Sequence, residues 1–477
     1  MNTHRSIRFA SLAACASFAY GAACAQGEAA NAGTAGEITA QTAAGTPAAD
    51  ASANLWTRSA LLGDMGGVRP WLDQFGVTFS LTETSEYLAN LRGGLARGGD
   101  YDGLTIGTLQ LDTSKALHIP GGLFNISALQ IHGAHLSATH LGTLNTASGI
   151  EAPDATRLWE LWYQQSLFDK RVDVKIGQQS ADTEFLLSQY GALFANTMFG
   201  WPAVPSYDLP SGGPAYPLAS LGVRVRGQIT NALTGLLGVY DGDPLGNNPH
   251  NVSGTNFNLH NGAFVIGELQ YAINQPDAEG HAGAQGLPGT YKLGFWYNSN
   301  RFDDQRFDNT GLSLANPATT GVPATHGGNY SVYAVADQTV WRPNPDEARS
   351  VGVFARVMGA PGNRSLVSFA ANVGVVMKAP FKGRDNDSAG LAATYIKVGN
   401  ATHDLDLDHL HFVGNPYGIR TQETALEATY QYQIAPWWLL QADAQYTFNA
   451  GAGQNPQNPA APLRNTFVIG VRTNVTF

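Results

Sequence analysis

The segment from Arg464 to Phe477 places Phe467, Ile469, Val471, Thr473, Val475 and Phe477 on one face and Val468, Gly470, Arg472, Asn474 and Thr476 on the other. A two-residue period of this kind is a β-strand with one apolar and one largely polar side. An aromatic ring at the end of the apolar face suits a membrane interface, and closing strands of outer-membrane barrels end in this way. The constraint is severe. Inside a membrane every backbone group must be paired, and strands achieve this only as a closed sheet. The same period recurs upstream, with expected outward sets Val77, Phe79, Leu81; Leu123, Asn125, Ser127, Leu129, Ile131; Tyr291, Leu293, Phe295, Tyr297; Leu426, Ala428, Tyr430, Tyr432, Ile434; and Leu440, Ala442, Ala444, Tyr446, Phe448. The complementary, inward faces are expected to carry Glu83, Gln130, His132, Lys292, Asn298, Glu427, Gln431, Gln441, Asp443 and Gln445. Polar residues between apolar ones point to a wet interior rather than a soluble sandwich core.

Counting such segments gives about sixteen strands, starting near residues 76, 102, 121, 156, 171, 218, 232, 261, 290, 328, 350, 366, 387, 420, 437 and 463. Phe168 to Arg171, Ile229 to Ala232 and Ile434 to Trp437 are short and read as periplasmic turns. Ala134 to Thr156, Ser180 to Leu218 and Arg301 to Gly328 are long and read as extracellular loops. Asn274 to Thr290 and Pro361 to Ser365 break the rule, the first too long and the second too short. At this size wall side chains no longer fill the lumen, so an aqueous channel remains and needs a constriction to discriminate. The Ser180 to Leu218 connection carries Leu186, Leu187, Phe194, Phe199 and Trp201, too apolar for a loop in water, and is expected to fold inward. The expected fold is an all-β transmembrane antiparallel barrel over residues 76–477, preceded by a short helical segment at 55–75 with Leu55, Trp56, Leu61, Leu62, Val68, Trp71 and Leu72.

Charged residues make up 13% of the chain, against about 25% in ordinary soluble domains. No run of about 18 apolar residues follows the amino terminus, which excludes helical membrane spans. Residues 1–25 read as a secretory signal: Arg5 and Arg8, an apolar run from Phe9 to Ala22, then Ala23-Cys24-Ala25 before Gln26, with cleavage expected after Ala25. Leu12-Ala13-Ala14-Cys15 offers a rival lipoprotein box, but only Phe9 to Ser11 separates it from Arg8. Both cysteines lie in the signal, so the mature chain has no thiol chemistry. Losing Arg5 and Arg8 moves the formal charge from -10 to -12, which argues against nucleic acid as a partner. Residues 26–54, rich in Ala, Gly and Thr, read as a flexible periplasmic leader.

Leu61-Leu62-Gly63-Asp64-Met65-Gly66-Gly67-Val68-Arg69-Pro70-Trp71-Leu72 is similar to the leading L-x-G-D-W-G-G-x-R-x-x-L of the OprB-type carbohydrate-selective porins, with Met65 where Trp is usual. The resemblance continues in Ile176-Gly177-Gln178, Asp182-Thr183-Glu184-Phe185, Ser188 and Leu193-Phe194-Ala195-Asn196-Thr197-Met198-Phe199-Gly200. It ends in Glu427-Ala428-Thr429-Tyr430-Gln431, Pro436-Trp437-Trp438, Leu440-Gln441 and Asp443 to Tyr446, with Ala442 where Pro is common. It implies a sixteen-stranded outer-membrane porin for diffusive uptake of glucose and related sugars, embedded in outer-membrane lipid and compatible with a homotrimer. The strand ending at Phe477 is the expected handle for the barrel assembly machinery. No cofactor is expected.

A sugar path needs polar groups that trade hydrogen bonds with hydroxyls, flat apolar faces for the ring, and binding weak enough for release. Strand parity puts Glu160 with Trp162, Lys175 with Gly177, Arg224 with Arg226 opposite Leu221, Val223 and Val225, and Trp296 with Lys292 on inward faces. Arg224, Arg226, Glu160, Trp162, Lys175 and Trp296, with Glu184 and Asp208 from the inward loop, form the candidate selective region. The alternative role for these charges is an ion-pair ladder that stabilises the wall and touches no solute. Trp437 and Trp438 read as periplasmic girdle. His403 to His411 brings Asp404, Asp406 and Asp408 to one side of an extended chain but lacks the spacing of a calcium loop, and reads as a solvated extracellular loop with no metal. No G-x-S-x-G elbow, H-E-x-x-H helix or phosphate-binding glycine loop is present, and an enzyme is not expected. A general or organic-anion porin for solutes such as sugar acids is the rival within the fold, and a barrel enzyme or adhesin the rival outside it.

Overall fold

The structure, a computed structural model, describes residues 54–477 apart from 247, 249–250, 276–285, 345–346 and 415. The signal expected over 1–25 and nearly all of the leader expected over 26–54 lie outside these residues. Sixteen antiparallel strands pair in sequence order, and the first closes the sheet on the last. They are β1 Val77–Arg92, β2 Gly98–Asp112, β3 Gly122–Gly133, β4 Ala155–Leu167, β5 Val172–Gln179, β6 Ser220–Gln228, β7 Leu233–Asp241 and β8 Ala263–Ile273. The second half comprises β9 Gly289–Asp308, β10 Pro323–Trp341, β11 Ser350–Gly359, β12 Val367–Lys378, β13 Ser388–Val398, β14 Gln422–Ala435, β15 Trp438–Phe448 and β16 Thr466–Thr476. Among the described residues, four α-helices decorate the barrel: α1 Val68–Gln74, α2 Thr113–Leu117, α3 Ala203–Asp208 and α4 Asn400–Val413. The strand starts agree closely with the alternation. The largest offset is at β10, which begins at Pro323 rather than near 328 because its ladder with β9 extends beyond the expected loop.

Closure is reinforced across the seam, where Arg472 of β16 meets Glu86 of β1 at 2.8 Å inside the barrel. On the periplasmic rim, Leu61 N donates to Thr476 O at 2.8 Å and Arg69 reaches Phe477 O, so the chain before β1 folds back over the terminal strand. Trp437, expected in the lipid girdle, is buried there: its Nε1 donates to Leu55 O at 2.7 Å and its ring stacks on Trp438.

Most faces follow the expected parity, with one reversal and one correction. On β3, Leu129 and Ile131 are each 1% exposed and point inward with Asn125 and Ser127, whereas Gln130 and His132 lie on the outer face. The reversal follows from what fills the lumen: Leu129 and Ile131 pack with Ile150, Ala152, Trp159 and Tyr216, so this sector of the interior is dry. Glu83 shares the parity of Phe79 and Leu81 and therefore sits on the outer face with them, not inside. His403 to His411, expected as an extended loop, lies within α4. Nothing from Asn400 to Val413 is Gly or Pro, and helical spacing puts Asp404 and Asp408 together against Arg306, at 2.8 Å each, while Asp406 binds Arg420 at 2.7 Å.

Candidate functional site

The long connection between β5 and β6, residues 180–219 (L3), enters the barrel as the apolar content of its sequence implies. Its Phe185, Leu186, Met198, Trp201 and Val204 pack on Tyr240, Phe264, Ile266, Trp296, Tyr333 and Val335 of the wall. A second cluster joins Leu193, Phe194 and Phe199 to Phe354, Val376 and Ala392. Burying each large side chain is worth about 1.5–3 kcal/mol, which favours docking over a loop in water. The buried backbone needs partners, and inward carboxylates supply them. Glu268 accepts from Leu186 N at 2.9 Å, Asp337 from Tyr190 N at 3.2 Å, and Glu427 from Ala195 N and Asn196 N at 2.5 and 3.0 Å. Arg356 donates in the opposite sense, to the carbonyls of Leu186, Met198 and Gly200. Composition gave no sign of this division of labour, because an inward Glu looks the same whether it faces water or a loop amide.

The connection from 134 to 154 (L2) also enters the lumen, which the sequence reading did not anticipate; its Leu136, Leu141, Ala147 and Ile150 were the available signal. Glu423 accepts from Leu144 N at 3.0 Å and Asn145 N at 2.6 Å, and L2 meets L3 through Gly149 N to Ala195 O at 2.7 Å and Tyr207 OH to Leu144 O at 2.6 Å. Within L2, burial and then the neighbouring charge of Asp102 raise the Glu151 carboxyl to about 8, and both its oxygens engage Ser137.

Charged side chains converge where L3 approaches β4, β5 and β6. Glu184 of L3 bridges Lys175 and Arg224, with 2.5 Å from Arg224 Nε to Glu184 Oε2. Burial pushes Glu184 upward, but Lys175 and Arg224 together outweigh it and hold the carboxyl down to about 2. Arg224 also donates to Gln164 Oε1 at 2.9 Å, and Arg226 pairs with Asp173 at 2.8 Å. Lys175 lies over the Trp162 ring, 4.5 Å from its centroid, so that aromatic face is already occupied by a cation. Glu160 accepts from Ser180 N at 3.1 Å, fixing where L3 leaves the wall. Gly177 sits beside this group at φ 133°, and a Cβ there would fall 2.3 Å from Leu161 O, so the close passage of β4 and β5 requires glycine.

Six of the eight candidate residues thus gather at one contact, with the Lys175 and Arg224 side chains enclosed, those of Glu184 and Arg226 only 9% and 13% exposed, and Gln164 partly buried. The other two lie elsewhere. Trp296 is 0% exposed against Phe264 in the apolar bed under L3. Asp208 ends α3 and accepts from Val367 N at 3.1 Å, an anchor of the loop rather than a group facing the lumen. Parity placed Trp296 inward, but it carried no information about the loop that covers it.

A family profile described as carbohydrate-selective porin, OprB family, matches residues 96–477. Porin B of Pseudomonas aeruginosa is 26% identical over 440 residues, covering 87% of this chain and 91% of that protein. Among solved structures, the high-pH structure of Pseudomonas putida OprB superposes with a TM-score of 0.77 at 23% identity, over 89% of this chain and 100% of that one. The low-pH structure of the same protein gives a TM-score of 0.54 at 18% identity, over 88% of this chain and 99% of that one. At these identities the structural likeness speaks for the fold.

Proposed function

The chain belongs to the OprB family of carbohydrate-selective porins, channels of the bacterial outer membrane, and from that premise we propose that it admits monosaccharides such as glucose past the contact of L3 with β4 to β6. The observation that carries this reading is ion pairing. Each of Lys175, Arg224 and Arg226 lies at ion-pair distance from a carboxylate, Glu184 for the first two and Asp173 for the third, so none of the three is left without a counter-ion to draw an organic anion. An uncharged polyol is served better: the partly buried Gln164 oxygen and the small accessible edge of Glu184 accept from hydroxyls, and the accessible edge of Arg226 donates to them. Such exchange is nearly isoenergetic with hydration, so the solute is selected by shape and released on the far side. Because Lys175 covers Trp162, the ring face of a sugar is not expected to stack there.

The test is uptake by liposomes carrying the signal-free protein, with glucose, a disaccharide, gluconate and a neutral non-sugar of glucose size. Glucose should enter fastest, and Glu184→Gln, which leaves Lys175 and Arg224 without their shared counter-ion, should shift preference toward gluconate. Equal uptake of glucose and the non-sugar would refute selectivity for carbohydrate at this contact, and fastest uptake of gluconate by the unaltered protein would favour the organic-anion reading instead.

A further inference from the structure

Around α4, cations at the extracellular end of the barrel are matched by carboxylates, Arg306 by Asp404 and Asp408 and Arg420 by Asp406. The seam where β1 meets β16 is different. Residues 91–99, which turn from β1 into β2, and residues 449–465, which join β15 to β16, hold Arg92, Arg97 and Arg464 but no Asp or Glu, in a chain whose formal charge is -10. All three arginines are exposed, and none of their guanidinium groups has an ion-pair or hydrogen-bond partner among the described residues.

The fold brings them to one corner. Gly94 N donates to Arg464 O at 3.0 Å, so the two connections touch, and Arg92 stands opposite Phe467 in the ladder. Tyr87, Ala89 and Leu91 share the outward parity of β1, and an unbroken strand would send Arg92 into the lumen. A bulge between Asn90 and Arg92 shifts the register and sets Arg92 on the face of Phe467, which is 36% exposed on the outer wall. Beside it that wall is aromatic. The Tyr446 ring lies 4.7 Å from Phe448 and 6.4 Å from Phe467 between centroids, and Asn465, next to Arg464 in the chain, donates from Nδ2 to Tyr446 OH at 3.4 Å.

We propose that this corner, Arg92, Arg97 and Arg464 beside Tyr446, Phe448 and Phe467, binds a lipid of the outer leaflet whose headgroup carries phosphate. A guanidinium fork matches two phosphate oxygens at once, and a cluster of cations at a membrane surface gathers anionic headgroups. Acyl chains below the same headgroup lie along the exposed faces of Phe448 and Phe467, so the charge and hydrocarbon contacts belong to one molecule. A free anion would meet the arginines only in water, where screening leaves little attraction. A neutral lipid would leave them unpaired.

The signal-free protein, folded from denaturant in detergent so that no bacterial lipid accompanies it, is titrated with lipid A bearing its phosphates, and bound lipid is counted by native mass spectrometry. Lipid A freed of its phosphates should bind about tenfold more weakly, and Arg92→Gln, Arg97→Gln and Arg464→Gln together should weaken the phosphorylated form by about the same factor. The control, Lys170→Gln, Arg171→Gln and Lys382→Gln, removes three exposed cations from periplasmic turns and should leave binding unchanged. Equal affinity of the unaltered and arginine-substituted proteins, equal affinity for the two lipids, or an equal loss in the control would overturn the proposal. Displacement of the lipid by millimolar inorganic phosphate would overturn it too, by assigning the corner to a free anion. Only barrels with unaltered heat-sensitive gel mobility are scored. If the triple variant does not fold, the three single substitutions replace it, each expected to weaken binding about twofold, and no loss in any of them overturns the proposal.

Discussion

Arg356 anchors the constriction loop through three of its carbonyls, and replacing it with Met isolates its effect because Met keeps much of the apolar stem. The guanidinium is 1% exposed and donates to Leu186 O at 2.7 Å, Gly200 O at 2.6 Å and Met198 O at 2.5 Å, with Asn372 Oδ1 at 3.0 Å orienting its Nε. Each hydrogen bond from a charged donor contributes about 1.5–3 kcal/mol, and the carbonyls left behind lose their partner inside a packed lumen. Allowing for water reaching the freed carbonyls, Arg356→Met costs the docked segment Leu186 to Gly200 about 4 kcal/mol. That is roughly a thousandfold shift toward the released loop. Glu268, Asp337 and Glu427 still hold other amides of L3, so the expected change is a looser constriction and not an empty barrel. Single-channel recordings in planar bilayers should show a larger, noisier conductance, and liposomes should take up a disaccharide faster than with the unaltered protein. Unchanged conductance together with unchanged disaccharide uptake would refute the assignment of Arg356 as the anchor.

Glu151 makes L2 sensitive to alkali. Its folded-state value, raised by burial and Asp102 to about 8, lies above that of an unfolded glutamate, so its contribution to docking is fully present below about 4.5 and is lost as pH rises through about 8. Conductance fluctuations should therefore grow between pH 7 and 9, and Glu151→Gln, which cannot ionise, should abolish that rise; persistence of the rise in the variant would assign it to another group. Arg306→Ala removes the pairs that clamp α4 to the β9 hairpin through Asp404 and Asp408, and hydrogen exchange over Asn400–Val413 should accelerate about threefold to tenfold, in keeping with a loss of about 1 kcal/mol from partly exposed pairs. Exchange unchanged in α4 would mean that its packing alone holds it.

The strand pattern was legible because a period of two is imposed by the backbone and does not depend on what lies on either side. Residues such as Leu293 and Phe295 of β9, or Gln441 and Asp443 of β15, report their faces directly, and the inward fold of L3 was readable from Phe194, Phe199 and Trp201, which have no other place to be buried. The candidate site was legible in part. Charges on neighbouring strands, Lys175 and Arg224, converge because the register of β5 and β6 sets them opposite one another. Glu184 joins them only because L3 returns to the wall, and Trp296 is lost to the path for the same reason. On β3 the polarity rule chose the wrong face, since it assumes a wet lumen, and the loops had dried that sector.

The sequence by itself determined the number of strands, their alternation and the apolar character of the longest loop, because these depend on local periodicity and on composition within a segment. The tertiary structure alone decided which polar residues face water, which grip loop amides and which lie on the outer wall. Those roles depend on partners distant in sequence, Glu427 for Ala195 or Arg472 for Glu86, brought together only when the sheet closes and the loops pack within it.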